Sequence, residues 1–145
     1  MTYIKTLCFG ALLSLCMCAT SNAQSICDFD GDNVCGAADR DLLGCLIALD
    51  FDPSVFPAAD LDGNGVYNST DMLIWRVVAA FENGVNVPYN RSDANLDGVT
   101  DLSDFNIWNA NRFTTTCLVS MGDFNHDGVV DIADFNIWNN ERFTD

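Results

Sequence analysis

Lysine is almost missing from this chain: Lys5 is the only one, and five arginines complete the cationic set against 21 acidic residues. A formal net charge of −15 excludes nucleic acid and anionic membrane surfaces as partners, because both need positive charge to displace counterions. Glutamate is also scarce, with only Glu82 and Glu141 beside 19 aspartates. A surface made acidic for solubility alone would use glutamate freely, since it is the better helix former. Aspartate favours turns and short-range ligation, so the bias points to loops. A single histidine, His126, leaves no histidine cluster for metal or acid–base work, and no Cys-x-x-Cys pair is present for a zinc site.

Long apolar runs are lacking as well. Leu7 to Met17 is the one such stretch, preceded by Lys5 and followed by the small residues Ser21-Asn22-Ala23. It is shorter than the ~20 residues that span a bilayer. It reads as an export signal, residues 1–23, to be removed and excluded from the fold. A lipid attachment at Cys16 or Cys18 lacks the small-residue pair that should precede it. The mature chain then has no lysine, is secreted, and does not insert into membrane.

What is present is a repeat. Four twelve-residue segments superpose: Asp28–Asp39 (DFDGDNVCGAAD), Asp60–Asp71 (DLDGNGVYNSTD), Asp93–Asp104 (DANLDGVTDLSD) and Asp123–Asp134 (DFNHDGVVDIAD), with starts 32, 33 and 30 residues apart. Calcium takes ~6–8 oxygens, which a twelve-residue loop supplies from positions 1, 3, 5, 7, 9 and 12. The candidate ligands are Asp28, Asp30, Asp32, Val34 and Asp39 in loop 1, and Asp60, Asp62, Asn64, Val66, Asn68 and Asp71 in loop 2. Loop 3 offers Asp93, Asn95, Asp97, Val99, Asp101 and Asp104; loop 4 offers Asp123, Asn125, Asp127, Val129, Asp131 and Asp134. Valine suffices at position 7, where only the carbonyl is used. Position 6 must turn sharply and is Gly65, Gly98 or Gly128, with Asn33 in loop 1. Position 9 of loop 1 is Gly36, which offers no side-chain oxygen, so loop 1 is expected to be the weakest of up to four calcium sites.

Fifteen of the 19 aspartates occupy these positions. Like charges ~4 Å apart repel by up to ~4 kcal/mol at an effective dielectric of 20, so the spacing predicts a cation as part of the fold. Apolar pairs at positions 15–16 (Leu42-Leu43, Ile74-Trp75, Ile107-Trp108, Ile137-Trp138) predict helices near 38–49, 69–82, 102–112 and 132–142. The tryptophans, at one repeat position, read as core rather than as a sugar-stacking platform. One loop and helix cannot bury enough area alone. The expected arrangement is therefore two units, residues 24–83 (repeats 1 and 2) and 93–145 (repeats 3 and 4), joined by a linker at 84–92.

Loop plus following helix, a loop ending in Asp rather than Glu, and tandem duplication resemble dockerin type I repeats, half-EF-hand modules. The resemblance covers residues 28–145. It implies an all-α fold of four tandem calcium loop–helix repeats in two dockerin-like pairs, one calcium per repeat, and a cohesin-like protein partner in a polysaccharide-degrading assembly. The sequence departs from the family's pattern at the partner-recognition positions. Only Ser69-Thr70 supplies the expected hydroxyl pair at positions 10–11, and only Arg76 is basic at 17–18. Calcium ligation carries over residue by residue; cohesin recognition does not.

Four cysteines remain in the mature chain, Cys27, Cys35, Cys45 and Cys117, and allow three pairings. A crosslink within repeat 1, with the remaining pair tying that repeat to Cys117, would supply rigidity where loop 1 lacks a ligand. His126, at position 4 of loop 4, is expected at the surface. Asn68 and Asn90 each begin a glycosylation sequon, the first coinciding with a ligand position. The spare acids Asp41, Asp50, Asp52, Glu82, Glu141 and Asp145 sit in no catalytic motif, so no enzyme is expected. A calcium-stabilised interaction module, docking to a cohesin-like or other surface protein, is the leading expectation. The alternative is a structural calcium-binding protein of the envelope or matrix without a dedicated receptor.

Overall fold

The computed structural model describes residues 24–142; the expected export segment 1–23 lies outside them. Four helices form, α1 Ala37–Ala48, α2 Ser69–Glu82, α3 Leu102–Asn111 and α4 Ile132–Glu141, with short 3-10 turns at Pro57–Ala59 and Val119–Met121. Among the described residues no strand forms, and pairing is limited to one antiparallel bridge between Thr115 and Val129. The protein is thus mostly helical, and each helix lies within about a residue of its expected position.

The helices begin where they do because of the loops. Position 9 of each loop is the N-cap: Gly36, Asn68, Asp101 and Asp131. The side chains of Asn68, Asp101 and Asp131 accept the N–H two residues on, at 2.7, 2.6 and 2.7 Å. Position 12 falls at the third helical residue, and its carboxylate accepts the N-cap's own N–H. Loops 2 to 4 thereby have the reciprocal cap that satisfies N-terminal donors, and α1 has only the return half because Gly36 has no side chain. The acidic residue in the first turn also favours the helix dipole.

Position 16 is core in every repeat: Leu43 and Trp75 are fully buried, and Trp108 and Trp138 nearly so. Position 15 only flanks it, and Leu42 is exposed. Helix α1 packs against α2, and α3 against α4. Phe105, Trp108, Phe135 and Trp138 interleave between α3 and α4, with ring centroids 5.0–6.3 Å apart. Each tryptophan there also ties down the other repeat. The Trp108 indole N–H donates to the Asp131 carbonyl at 2.9 Å, and that of Trp138 to the Asp101 carbonyl at 2.8 Å. Between α1 and α2 the bond runs one way, from Trp75 to the Cys27 carbonyl at 2.9 Å, since repeat 1 has Leu43 in place of a tryptophan.

The two helix pairs also touch each other. Helix α1 lies on the Val119–Met121 turn, which in turn contacts α3. Gly44 makes that approach possible: a Cβ there would meet Val119 Cγ2 at 2.8 Å and the Cys117 carbonyl at 3.2 Å. Disulfides join Cys27 to Cys35 and Cys45 to Cys117, one inside repeat 1 and one from α1 to the chain after α3. Asp41 accepts the Ser120 N–H at 2.8 Å and its hydroxyl. Segment 84–92 is anchored toward its C-terminal end, while Gly84 and Asn86 to Pro88 stay exposed. Tyr89 and Ser92 are buried in it, Arg76 donates to the Tyr89 carbonyl at 2.9 Å, and Asn90 donates to Thr100 Oγ1 at 3.0 Å.

Candidate metal centres

The four loops share one internal hydrogen-bond scheme, with one change in loop 1, where Asp28 takes the N–H of position 4 in place of position 5. The position-1 carboxylate turns back onto the chain: Asp28 accepts from Gly31 and Asn33 N–H, Asp60 from Asn64 and Gly65, Asp93 from Asp97 and Gly98, Asp123 from Asp127 and Gly128, all at 2.8–3.2 Å. The position-3 oxygen accepts the position-5 N–H at 3.0–3.1 Å. The position-5 oxygen accepts the position-7 N–H at 2.8–2.9 Å. Side-chain oxygens at positions 1, 3 and 5 therefore turn onto the loop's own backbone, while the valine side chains at position 7, Val34, Val66, Val99 and Val129, point into solvent.

Position 12 is the most heavily bonded. Asp39, Asp71, Asp104 and Asp134 are buried, and each accepts three backbone N–H groups, from positions 2, 3 and 9 of its own loop. This carboxylate closes the loop and starts the helix at the same time.

Among the described residues, acidic triples whose ligand atoms all lie within 4.8 Å of one another occur in two loops: Asp28, Asp30 and Asp32 in loop 1, and Asp60, Asp62 and Asp71 in loop 2. Either triple could hold a metal ion, and carboxylate oxygen is the donor that hard divalent cations take. Loops 3 and 4 hold no such triple. There Asn95 and Asn125 stand at position 3, and their amide groups donate to Asp97 and Asp127 at 2.8 Å. The remaining expected ligands keep their places in the loops, but Asp39, Asp93, Asp97, Asp101, Asp104, Asp123, Asp127, Asp131 and Asp134 belong to no acidic triple.

Burial perturbs the carboxyls of those two loops. Desolvation pushes Asp93 and Asp123 up to about 6, although the Gly98 and Gly128 N–H bonds oppose it. Asp104 and Asp134 are raised for the same reason, against their three N–H bonds. The donor sets of loops 1 and 2, each with three carboxylates within reach of one ion, fit a hard divalent cation in their chemistry.

Three features went unread in the sequence. Position 4 has left-handed backbone in every loop, at Gly31, Gly63, Leu96 and His126 (φ 81°, 70°, 58° and 61°). The glycines at that position in loops 1 and 2 were the available signal. In loop 4 the consequence corrects an expectation: His126 is buried, not at the surface. Its Nδ1 lies beside Gly44 of α1, and burial, then the Arg40, Arg76 and Arg91 charges, lower it to about 4. Third, Arg40 is only 1% exposed and spans two carbonyls of loop 3, donating to Asp93 at 2.5 Å and to Ala94 at 2.6 Å.

Four spare acids have structural partners: Asp41 holds Ser120, Asp52 accepts the Ser54 N–H, Glu82 accepts from the Ser25 hydroxyl, and Glu141 accepts from Ser92 and Arg91. No helix among the described residues is long and apolar enough to cross a membrane, and the two disulfides fit an oxidising compartment. Comparison with protein-family models, curated proteins and solved structures finds no match to this chain.

Proposed function

We propose that this chain is a secreted, non-catalytic, dockerin-like interaction module whose four loops each take one calcium ion. The observation that carries the reading is the fourfold scheme just described: the same turn of chain brings side-chain oxygens at positions 1, 3 and 5 onto the loop's own backbone in every repeat, while its closing carboxylate begins a helix. Calcium would be held in loop 1 by Asp28, Asp30, Asp32 and the Val34 carbonyl, with Asp39 behind them. In loops 2 to 4 the corresponding residues are joined by Asn68, Asp101 and Asp131. The ion supplies the charge that crowded carboxylates lack, and its binding energy becomes folding energy. Extracellular calcium is plentiful, which suits sites of ~10⁻⁴–10⁻³ M affinity that brace a fold rather than sense a signal.

Support for a docking role comes from α2. Leu73, Val77 and Phe81 are 47%, 44% and 80% exposed at successive turns of that helix and form an apolar stripe along it. A partner of complementary character would be apolar at its centre and basic at its rim, cohesin-like or another surface protein. The alternative, a structural calcium-binding protein without a dedicated receptor, draws on the Cys45–Cys117 crosslink, which braces the two helix pairs against each other.

Calorimetric titration of the chelator-stripped, disulfide-intact mature chain with calcium, with circular dichroism alongside, tests the metal reading. Three or four bound ions and a gain in helix are expected; no binding and no helix change would overturn it. Pull-down from a secreted fraction with and without chelator separates the roles. A specific protein recovered only with calcium supports docking, and none in either condition supports the structural role.

A further inference from the structure

The residue after the last ligand of loop 1 belongs, by its contacts, to loop 3. Asp39 closes loop 1 by accepting the Phe29, Asp30 and Gly36 N–H groups, and it is the third residue of α1. Arg40 follows it. Its fork grips the carbonyls of Asp93 and Ala94, positions 1 and 2 of loop 3, fifty-three and fifty-four residues away. Asp93 is itself buried and carries the position-1 carboxylate.

Among the described residues this buried guanidinium forms no ion pair, although the Asp41, Asp93 and Asp104 charges act on it; its bonds go to main-chain oxygens. A charge is expensive to desolvate, so a buried arginine spent on two carbonyls fixes a piece of backbone. The backbone it fixes is the start of a candidate cation loop. Loops 1 and 3 also face each other directly: Val34, Cys35 and Gly36 line one side of a cleft of about 440 Å³, and Asn95, Leu96 and Asp97 line the other. Asn83 and Tyr89 line the same cleft, and the Asn83 amide reaches both the Cys35 carbonyl and the Tyr89 hydroxyl.

We propose that Arg40 is a positioning residue for loop 3, through which cation binding in loop 1 raises cation affinity in loop 3. The inference rests on the calcium reading above and adds to it a named route between two sites in different helix pairs. Closing loop 1 around an ion fixes Asp39 and the first turn of α1. That turn sets where the Arg40 fork lies, and the fork sets the two carbonyls beside the Asp93 carboxylate. Linkage requires the effect to run equally in reverse. Loop 4 meets α1 by packing, with His126 Nδ1 beside Gly44, but its carbonyls are not gripped as those of loop 3 are, so it reports what packing alone transmits.

Each loop has its own reporter, the position-6 N–H that bonds the position-1 carboxylate: Asn33, Gly65, Gly98 and Gly128. Nitrogen–proton correlation spectra of the full disulfide-intact chain, titrated with calcium alone, therefore read the four loops separately. Asp30→Asn with Asp32→Asn empties loop 1 while keeping an acceptor for each turn. That pair should weaken loop 3 by about three- to tenfold and loop 4 far less, within the range of measured couplings. Arg40→Lys keeps the charge but cannot span two carbonyls. It should weaken loop 3 by about tenfold, equivalent to about 1.4 kcal/mol, and should abolish the effect of the loop-1 pair on loop 3.

Equal weakening of loops 3 and 4 in Arg40→Lys would mean general loosening and would overturn the proposal, as would a loop-1 effect that persists in that background. Normal calcium binding with loop 3 indifferent to loop 1 removes this inference alone. No calcium-dependent shift at any reporter in the unaltered protein removes the calcium reading and this inference with it. The loop-1 arm leaves Arg40 in place, so it stands even if the lysine variant does not fold.

Discussion

Two isosteric substitutions in loop 4, Asp127→Asn and Asp134→Asn, should have opposite signs in the absence of metal. Asp134 is fully buried and accepts the Phe124, Asn125 and Asp131 N–H groups at 2.8, 3.0 and 2.8 Å. An amide in its place points an NH₂ at one of these donors. One buried N–H is left facing another donor, which costs about 1–3 kcal/mol, and the remaining bonds drop from charged to neutral acceptor strength. The sum is about 2–4 kcal/mol, a large part of a typical domain's ~5–15 kcal/mol. Asp127 is exposed; asparagine there keeps the Val129 N–H bond to Oδ1 at 2.9 Å and gives up only the solvent-exposed one from the Asn125 amide. Its charge raises both Asp123 and Asp134 by repulsion, so removing it should leave the metal-free protein as stable or slightly more so. In calcium the order changes, and Asp127→Asn should lose most of the affinity of loop 4. Urea unfolding followed by tryptophan emission, with chelator and then with calcium, measures both states. If Asp134→Asn is harmless in chelator, position 12 is only a ligand and the argument that it organises loop and helix fails.

Metal-free stability should fall as pH rises from about 4 to about 7. Asp93 and Asp123, held at about 6, and the raised Asp104 and Asp134 bind protons in the folded state that the unfolded chain has already released. His126, lowered to about 4, acts in the opposite sense, one imidazole against four carboxyls. Calcium should reverse the slope, because binding releases those protons; thermal melts across that window in chelator that show stability rising with pH would contradict the assignment. The two disulfides should differ in worth. Chain-entropy reasoning over separations of 72 and 8 residues gives about 4 kcal/mol for Cys45–Cys117 and about 2.5 kcal/mol for Cys27–Cys35. Denaturation of paired Cys→Ala variants ranks them, and an equal loss from each would show that loop length is not what decides.

The loops and helices were legible because their determinants are local. Alternate oxygen donors, a sharp turn and an apolar pair at helical spacing all lie within ~20 residues, and the cap that starts each helix is part of the same twelve. The clustering of three cysteines pointed to one crosslink in repeat 1 and one to Cys117, but only the fold decides that Cys45 is the one that reaches across. Arg40, His126 and segment 84–92 were opaque for the converse reason. An arginine is almost never fully buried without a partner, and its partners here are carbonyls more than fifty residues away, which carry no side-chain signature. The inward turn of His126 depends on left-handed backbone at a non-glycine residue and on the absence of a Cβ at Gly44 in another helix. Neither dependence has a period or a spacing.

The indole bonds described for the fold also give the protein an optical property. Trp138 donates to the backbone of loop 3, Trp108 to that of loop 4, and Trp75 to the residue just before loop 1. Indole emission responds to the loss of a hydrogen bond and to the arrival of water. Each tryptophan is therefore a fluorophore wired to a different repeat, and a single-tryptophan variant turns the chain into a label-free gauge of one loop at a time.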